Sequence, residues 1–258
     1  MGLSSPPYLK HTPIGTTVQH LSTMPPPISS TSLLPCLILA LASSLPAQAS
    51  CNPSTLNTTS GVYYAQENQT LFEIAHTVHR GACDIARYNR MADAVIPLTT
   101  GEEIIIPPQV CNPDNSTCLI TAEPNATYAD CVVGGPHTYT TLAGDTMNYI
   151  ALKLNLTIDA LMSTSSMPGL EAGATDEVIG AGQSMKLPQC SPSKCVFRPE
   201  TFVYGTYKDL AAKVGTTPGQ IMALNPTYNH SVEDQGEGPV LTVPRDCVLL
   251  SNNVTVIS

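Results

Sequence analysis

Glu73, His76 and His79 stand at i, i+3 and i+6 in "TLFEIAHTVH", so a helix would carry one carboxylate and two imidazoles close together. That donor set suits a divalent transition metal. The simpler reading is a solvated helix face, and no metal is expected. Glu102 and Glu103 pair two carboxylates, but they open a short apolar run, where a hydrolase has no cleft. The chain has no Gly-x-Ser-x-Gly elbow, no P-loop and no Cys–His pair apart from cysteines suited to disulfides. Neither an enzyme nor a cofactor is expected. The remaining candidate is a backbone feature, the turn Gly144-Asp145-Thr146. Gly144 supplies the bend, and Asp145 or Thr146 can cap the helix that follows.

The cysteines set the compartment. Leu33–Leu45 is an apolar run of signal-peptide length followed by a small-x-small site, Ala47-Gln48-Ala49, which predicts cleavage before Ser50. The segment before it is long for a leader, and Met24 offers a more ordinary start. A membrane anchor would need a longer apolar stretch. Cleavage removes Cys36 and leaves Cys51, Cys83, Cys111, Cys118, Cys131, Cys190, Cys195 and Cys247, an even set that reads as four disulfides. Cys-x2-Cys pairs with nearby histidines, which zinc would need, are absent. Asn-x-Ser/Thr sequons at Asn57, Asn68, Asn115, Asn125, Asn155, Asn229 and Asn253 agree with a eukaryotic extracellular glycoprotein. A net charge of −9 with few cations disfavours nucleic acid and anionic membrane as partners. Tryptophan is absent and phenylalanine scarce, so sugar recognition would rest on backbone and small polar groups.

The elements that must position the turn recur along the chain. Met147, Ile150, Ala151 and Leu154 fall on one helical face behind Gly144-Asp145-Thr146. A helix this short is marginal alone and must pack on a neighbour. "TLFEIA" (Thr70–Ala75) and "TYKDLA" (Thr206–Ala211) repeat the pattern, with Ile85, Leu161 and Ile221 ten residues beyond each alanine. Asn89, Ser165 and Asn225 follow four residues later, and the copies end alike at "IIIPPQVC", "MKLPQC" and "LTVPRDC". Each copy therefore reads as strand, helix, helix, strand. The first strands are expected at "VYYAQ", "HTYTTL" and "ETFVY", and the second helices near Cys83, Thr157 and Thr217, with Pro218 at the favoured first position. Asp84 and Arg87 are expected on the surface.

These repeats resemble LysM domains, and the mature chain as a whole resembles the three-LysM secreted effectors of plant-associated fungi. The match rests on the intact Gly144-Asp145-Thr146, the repeat number, the cysteine placement and the linker "CNPDNSTC". The resemblance implies an α+β chain of three small βααβ domains joined by disulfide-bracketed linkers. Its divisions are signal segment 1–49, domains 50–118, 131–190 and 195–247, linkers 119–130 and 191–194, and tail 248–258. It also implies binding of chitin or other N-acetylglucosamine oligomers and suppression of chitin-triggered immunity; ligand-induced self-association is left open. In the implied fold the strand–helix turn and the helix–strand loop share one pole and form a shallow sugar groove. Cys51, Cys83 and Cys111 fall at the other pole, and the implied pairs are Cys131–Cys190 and Cys195–Cys247. Cys51, Cys83, Cys111 and Cys118 allow three pairings.

Carried over residue by residue, the sugar-contacting set is uneven. The second repeat keeps Gly144, Asp145, Thr146 and Met147, opposite an overlong loop, "SSMPGLEAGATDEVIG", and is the preferred site. The first has Asn68, Gln69, Thr70 and Leu71, where a glycan on Asn68 would sit on the groove. The third has Gly205, Thr206, Tyr207, Asn225 and Pro226, with about three residues missing before Thr206 by comparison with the family pattern. A composite groove between the first and third repeats is therefore in question. Two other functions compete with oligomer sequestration: a wall or adhesion protein that coats hyphal chitin, and a chitinase accessory subunit. Almost no chain lies outside the repeats to serve the latter.

Overall fold

The computed structural model describes residues 51–165, 173–230 and 238–257. The signal segment, the cleavage point before Ser50 and residues 166–172 of the long loop lie outside them. The first repeat runs β1 (Gly61–Tyr64), α1 (Leu71–Val78), α2 (Ala82–Tyr88) and β2 (Glu103–Ile106), with β1 antiparallel to β2 and Gly61 opposite Ile106. A short strand, β3 (Val132–Val133), precedes the second repeat, which runs β4 (Thr138–Thr140), α3 (Met147–Leu154), α4 (Ile158–Thr164) and β5 (Ser184–Lys186). After β6 (Gln189–Ser191) come β7 (Ser193–Thr201), α5 (Tyr207–Val214), α6 (Pro218–Leu224), β8 (Val240–Leu249) and β9 (Thr255–Ile257). β4 pairs antiparallel with β5, and β7 with β8. β6 is central in a further sheet, parallel to β3 and antiparallel to β9.

One expectation changes here. The third repeat's first strand starts at Ser193 and stops at Thr201, so most of "ETFVY" lies beyond it, and Phe202 turns into the core instead. Only Pro192 separates β6 from β7, and beyond Cys247 the chain completes β8 and forms β9.

Threonine starts most of the helices. Thr70, Thr146 and Thr206 are the N-caps of α1, α3 and α5, each accepting the backbone N–H three residues on. Glu73 and Asp209 complete capping boxes with Thr70 and Thr206, so Glu73 is committed to a helix start rather than to a metal. Asp145, offered as an alternative cap, is not one: Thr146 takes that role. Thr157 and Thr217 cap α4 and α6. The α2 helix has no side-chain cap of its own; its first N–H groups go to the linker, Ala82 N to Asn115 Oδ1 at 2.9 Å and Cys83 N to the Asp114 carbonyl at 2.8 Å.

An asparagine joins helix to strand at two equivalent positions. The Asn89 side chain, fully buried, donates to the carbonyls of Ile85 (2.8 Å) and Ile105 (2.7 Å) and accepts from Ile105 N (2.8 Å). It thus occupies the outer edge of β2 as a third strand would. Asn225 repeats the arrangement on Ile221 and Thr242. The second repeat has Ser165 there, too short to reach, and its hydroxyl has no partner among the described residues.

Two cores result. One belongs to the first repeat, around Leu71, Ile74, Ile85, Met91 and Ile104. The other is shared by the second and third repeats, and Ala92 and Ile96 of the first repeat enter it. Gly219 lets α6 close on α3: a Cβ there would lie 2.7 Å from Leu154 Cγ. Disulfides join Cys51 to Cys111, Cys83 to Cys118, Cys131 to Cys190 and Cys195 to Cys247. Cores this small rely on such links.

Two outcomes follow. Peptide mapping of the unreduced protein is expected to recover Cys51–Cys111 and Cys83–Cys118; recovery of Cys51–Cys83 instead would refute the pairing. Asn89→Ala removes the side-chain partner of Ile105 N and of the Ile105 carbonyl, while the Ile85 carbonyl keeps the backbone N–H of residue 89, and should cost about 1–3 kcal/mol in chemical denaturation. The same change at Ser165 should cost far less.

Candidate functional site

At the first repeat's pole the turn and the loop enclose a cavity of about 330 Å³, lined by Asn68–Phe72 on one side and Ala94–Leu98 on the other. Asn68 takes a left-handed conformation (φ 57°), which turns the chain into the α1 cap. Gln69 is fixed from below, donating to the Tyr63 hydroxyl (3.0 Å) and accepting from Gln66 N (3.0 Å). Leu71 is buried, whereas Phe72 and Val95 expose apolar surface on opposite walls. The cavity therefore combines an apolar lining with backbone polar groups in a restricted space, the composition of a small-ligand site. Val95, Pro97 and Phe72 were not among the expected residues. For Val95 and Pro97 the signal was the spacing of the loop between Asn89 and "EEIII"; Phe72 stands next to the expected Leu71.

The second repeat's turn is arranged differently. Gly144 is exposed with φ +83°, and a Cβ there would stand 3.3 Å from Pro97 of the first repeat. Asp145 and Met147 face inward, both fully buried. Lys153 Nζ, also buried, donates to Asp145 Oδ1 at 2.6 Å. Asp145 Oδ2 accepts from the Tyr139 hydroxyl (2.9 Å) and from Leu142 N (2.8 Å), so the carboxylate holds the turn from beneath. Asp93 of the first repeat enters this site from above. Its Oδ2 accepts from the Tyr149 hydroxyl at 2.6 Å and lies 3.8 Å from Lys153 Nζ. Burial, opposed by the Lys153 charge and the Tyr149 hydrogen bond, leaves the Asp93 carboxyl above its ordinary range. Burial also pushes the Tyr139 and Tyr149 phenols upward, and the neighbouring carboxylates add to it.

The third repeat's turn is covered by the first repeat. Gly205 N donates to the Arg87 carbonyl (3.1 Å) and Tyr207 N to the Ala92 carbonyl (3.3 Å), and Gly205, Thr206 and Tyr207 are all buried. The Tyr207 ring stacks on Tyr228 at 5.6 Å and meets Phe202 edge-on at 5.7 Å, so it belongs to the core. Asn225 is the strand clamp described above, and Pro226 is exposed. Arg87, expected on the surface, is instead a junction. It forms a two-pronged pair with Asp209 (2.9 and 3.0 Å), pairs with Asp114 of the linker at 2.6 Å and reaches the Thr117 hydroxyl at 2.8 Å. Asp84 is likewise engaged, accepting from Asp114 N at 3.0 Å. Asn57, Asn68, Asn115, Asn125, Asn155 and Asn253 are exposed, whereas Asn229 is half-buried and its carbonyl accepts from Ala92 N at 2.6 Å. Among the described residues no group of three or more His, Cys, Asp or Glu is arranged to hold a metal, and no helix is long and apolar enough to cross a membrane.

A capped turn facing a loop, stabilised by disulfides, agrees with the matches to known proteins. The LysM domain model matches residues 139–188, which makes this a LysM-domain protein. Over 207 residues the chain is 45% identical to the secreted LysM effector LysM13 of Penicillium expansum, a match covering 80% of this chain and 87% of that relative. It is 35% identical over 194 residues to the secreted LysM effector ECP6 of Passalora fulva, covering 72% and 78% of the two chains. With the secreted LysM effector ELP2 of Colletotrichum higginsianum it shares 37% identity over 122 residues, 47% of this chain and 63% of that one. The chain belongs to the family of secreted LysM effectors.

The Arg87 junction should respond to acid. Burial disfavours charge on Asp209 and Asp114. For Asp209 the hydrogen bonds from Arg87 and Thr206 outweigh this, and for Asp114 those from Thr117, Ser116 and Arg87 do so. Both carboxyls therefore titrate below their ordinary range. Their contribution to stability is present above about pH 4, the unfolded value, and is lost as the pH falls through the lower folded values. Arg87→Met is expected to cost about 1–3 kcal/mol at pH 7 and to flatten the loss of thermal stability between pH 5 and pH 3. Melting curves at the three pH values check this, and a variant with the wild-type acid profile would count against it.

Proposed function

We propose that the chain is a secreted, extracellular, non-catalytic protein that binds chitin oligosaccharides and sequesters them from chitin-triggered plant immunity. In this reading the three strand–helix–helix–strand repeats, 50–118, 131–190 and 195–247, are each a LysM domain, and 119–130 and 191–194 are the linkers. The principal groove is the first repeat's. The observation that carries this is the cavity between Asn68–Phe72 and Ala94–Leu98, open where the third repeat's turn is covered. An N-acetylglucosamine unit offers an amide N–H, an amide carbonyl and a methyl group. Backbone along Asn68–Thr70 suits the amide, and the exposed apolar groups of Phe72 and Val95 suit the methyl and the sugar ring face. Gly144, beside Pro97, extends the same surface, and Thr146 supports it as the helix cap. Asp145, Met147, Leu71 and Tyr207 contribute from beneath as core and turn supports.

Calorimetric titration with an N-acetylglucosamine hexamer tests the assignment. Val95 is exposed, so Val95→Arg should fold normally while filling the cavity mouth, and affinity should fall roughly tenfold or more. If Asn68 carries a glycan, endoglycosidase treatment should raise wild-type affinity. Hexamer binding at full strength by the Val95→Arg protein would remove the first repeat as the principal site.

A further inference from the structure

One wall of the first repeat's groove is held in place largely by the other two repeats. The Ala92–Leu98 loop starts at Ala92, whose N–H donates to the Asn229 carbonyl (2.6 Å) and whose carbonyl accepts from Tyr207 N (3.3 Å), both in the third repeat. The next residue, Asp93, faces the second repeat. Its carboxylate bonds in two directions: Oδ1 accepts from Val95 N, a groove-lining residue, at 3.3 Å, and Oδ2 accepts from the Tyr149 hydroxyl at 2.6 Å. Pro97, two residues beyond Val95, rests against Gly144.

We propose that Asp93, Tyr149 and Lys153 are positioning residues for the sugar groove, through which the second repeat sets the groove wall of the first. The proposal rests on the reading of that cavity as the sugar site. The physical reason lies in the character of the loop. It has no strand partner of its own between α2 and β2, and a groove that must order its wall on binding loses affinity to that ordering. A buried carboxylate bonded on both sides fixes the Val95 backbone in advance. The charged groups facing Asp93 are Lys153 and Asp145, and the phenols of Tyr149 and Tyr139 lie in the same pocket. With one ammonium for two carboxylates, the protonation state of Asp93 is the adjustable element of the group.

Acidification should therefore weaken sugar binding by neutralising the acceptor that holds Val95 N. This is separable from unfolding. A raised folded-state pKa means that Asp93's contribution to stability is full at acid pH and lost as the pH rises through the folded value. Stability from this group and groove affinity thus move in opposite directions with pH.

The experiment compares wild type, Tyr149→Phe and Asp93→Asn by hexamer titration at several pH values from 7 to 4, with melting temperature and the Val95 amide NMR shift followed in parallel. Tyr149→Phe removes one half-buried hydroxyl and should fold. It should bind roughly three- to tenfold more weakly at pH 7, the range of one lost charge-assisted hydrogen bond partly transmitted to the wall. Its loss of affinity should also begin at higher pH, because a hydrogen bond favouring ionised Asp93 has gone. Asp93→Asn should bind at the weaker, acid-like level at every pH, with a Val95 amide shift that no longer titrates. Wild-type affinity and pH profile in both variants would overturn the proposal. Failure of the wild type to bind hexamer, with a Val95 amide that still follows Asp93, would instead overturn the sugar-site reading and leave the coupling between the repeats standing.

Discussion

A single ammonium group, that of Lys153, holds together what would otherwise repel. Two carboxylates from different repeats, Asp93 and Asp145, are buried within its reach, and the Tyr149 ring lies 4.5 Å from it. Removing a charge from water costs several kcal/mol, and only good geometry and further hydrogen bonds recover it. Here the recovery comes from Tyr139, Tyr149, Leu142 N and Val95 N, so every lone pair that matters is spoken for. The consequence is specificity of arrangement. An apolar contact makes no directional demand, whereas every bond of this network has a required distance and direction.

The same logic separates the three copies of one motif. Each has a capped turn, yet the turns have different fates. The first keeps its turn open over a cavity. The second fastens its turn from below with a buried carboxylate. The third spends its turn on an intramolecular contact, with Arg87 gripping Asp209, which completes the capping box with Thr206. Duplicated sequence thus becomes a division of labour: one copy keeps a cavity open and the other two brace its wall.

How much of this was legible in the sequence depends on the range of the interaction. Helix starts at Thr70, Thr146, Thr157, Thr206 and Thr217 follow from local capping and periodicity. Asn89 and Asn225 were visible as a recurring position, but their role on the strand edge needs the fold. Arg87 and Asp93 gave no local signal: a charged residue on a short helix or in a loop is a surface residue by default, and contacts far along the chain, from 27 to 122 residues away, make them junctions. Gly144-Asp145-Thr146 drew attention for a sound reason, the turn chemistry. What it could not reveal is that the aspartate points inward, because Lys153 lies one helix face away and looks like ordinary solvent-side lysine. The third repeat's strand was misplaced because Phe202 and Tyr204 have strand-like character, while the ladder to β8 ends before them.

The disulfides also bear on how the protein withstands its surroundings. Three of them close almost the whole length of a repeat, with partners separated by 60, 59 and 52 residues, and each encloses both helices and the long loops between elements. A protease that cuts one backbone bond inside such a ring does not release a fragment. The two new ends stay attached through sulfur and meet at the high local concentration that a short tether imposes. The severed strands can then remain zipped against each other and the core stay shut. For a secreted protein, injury to the chain and loss of its shape become separate events.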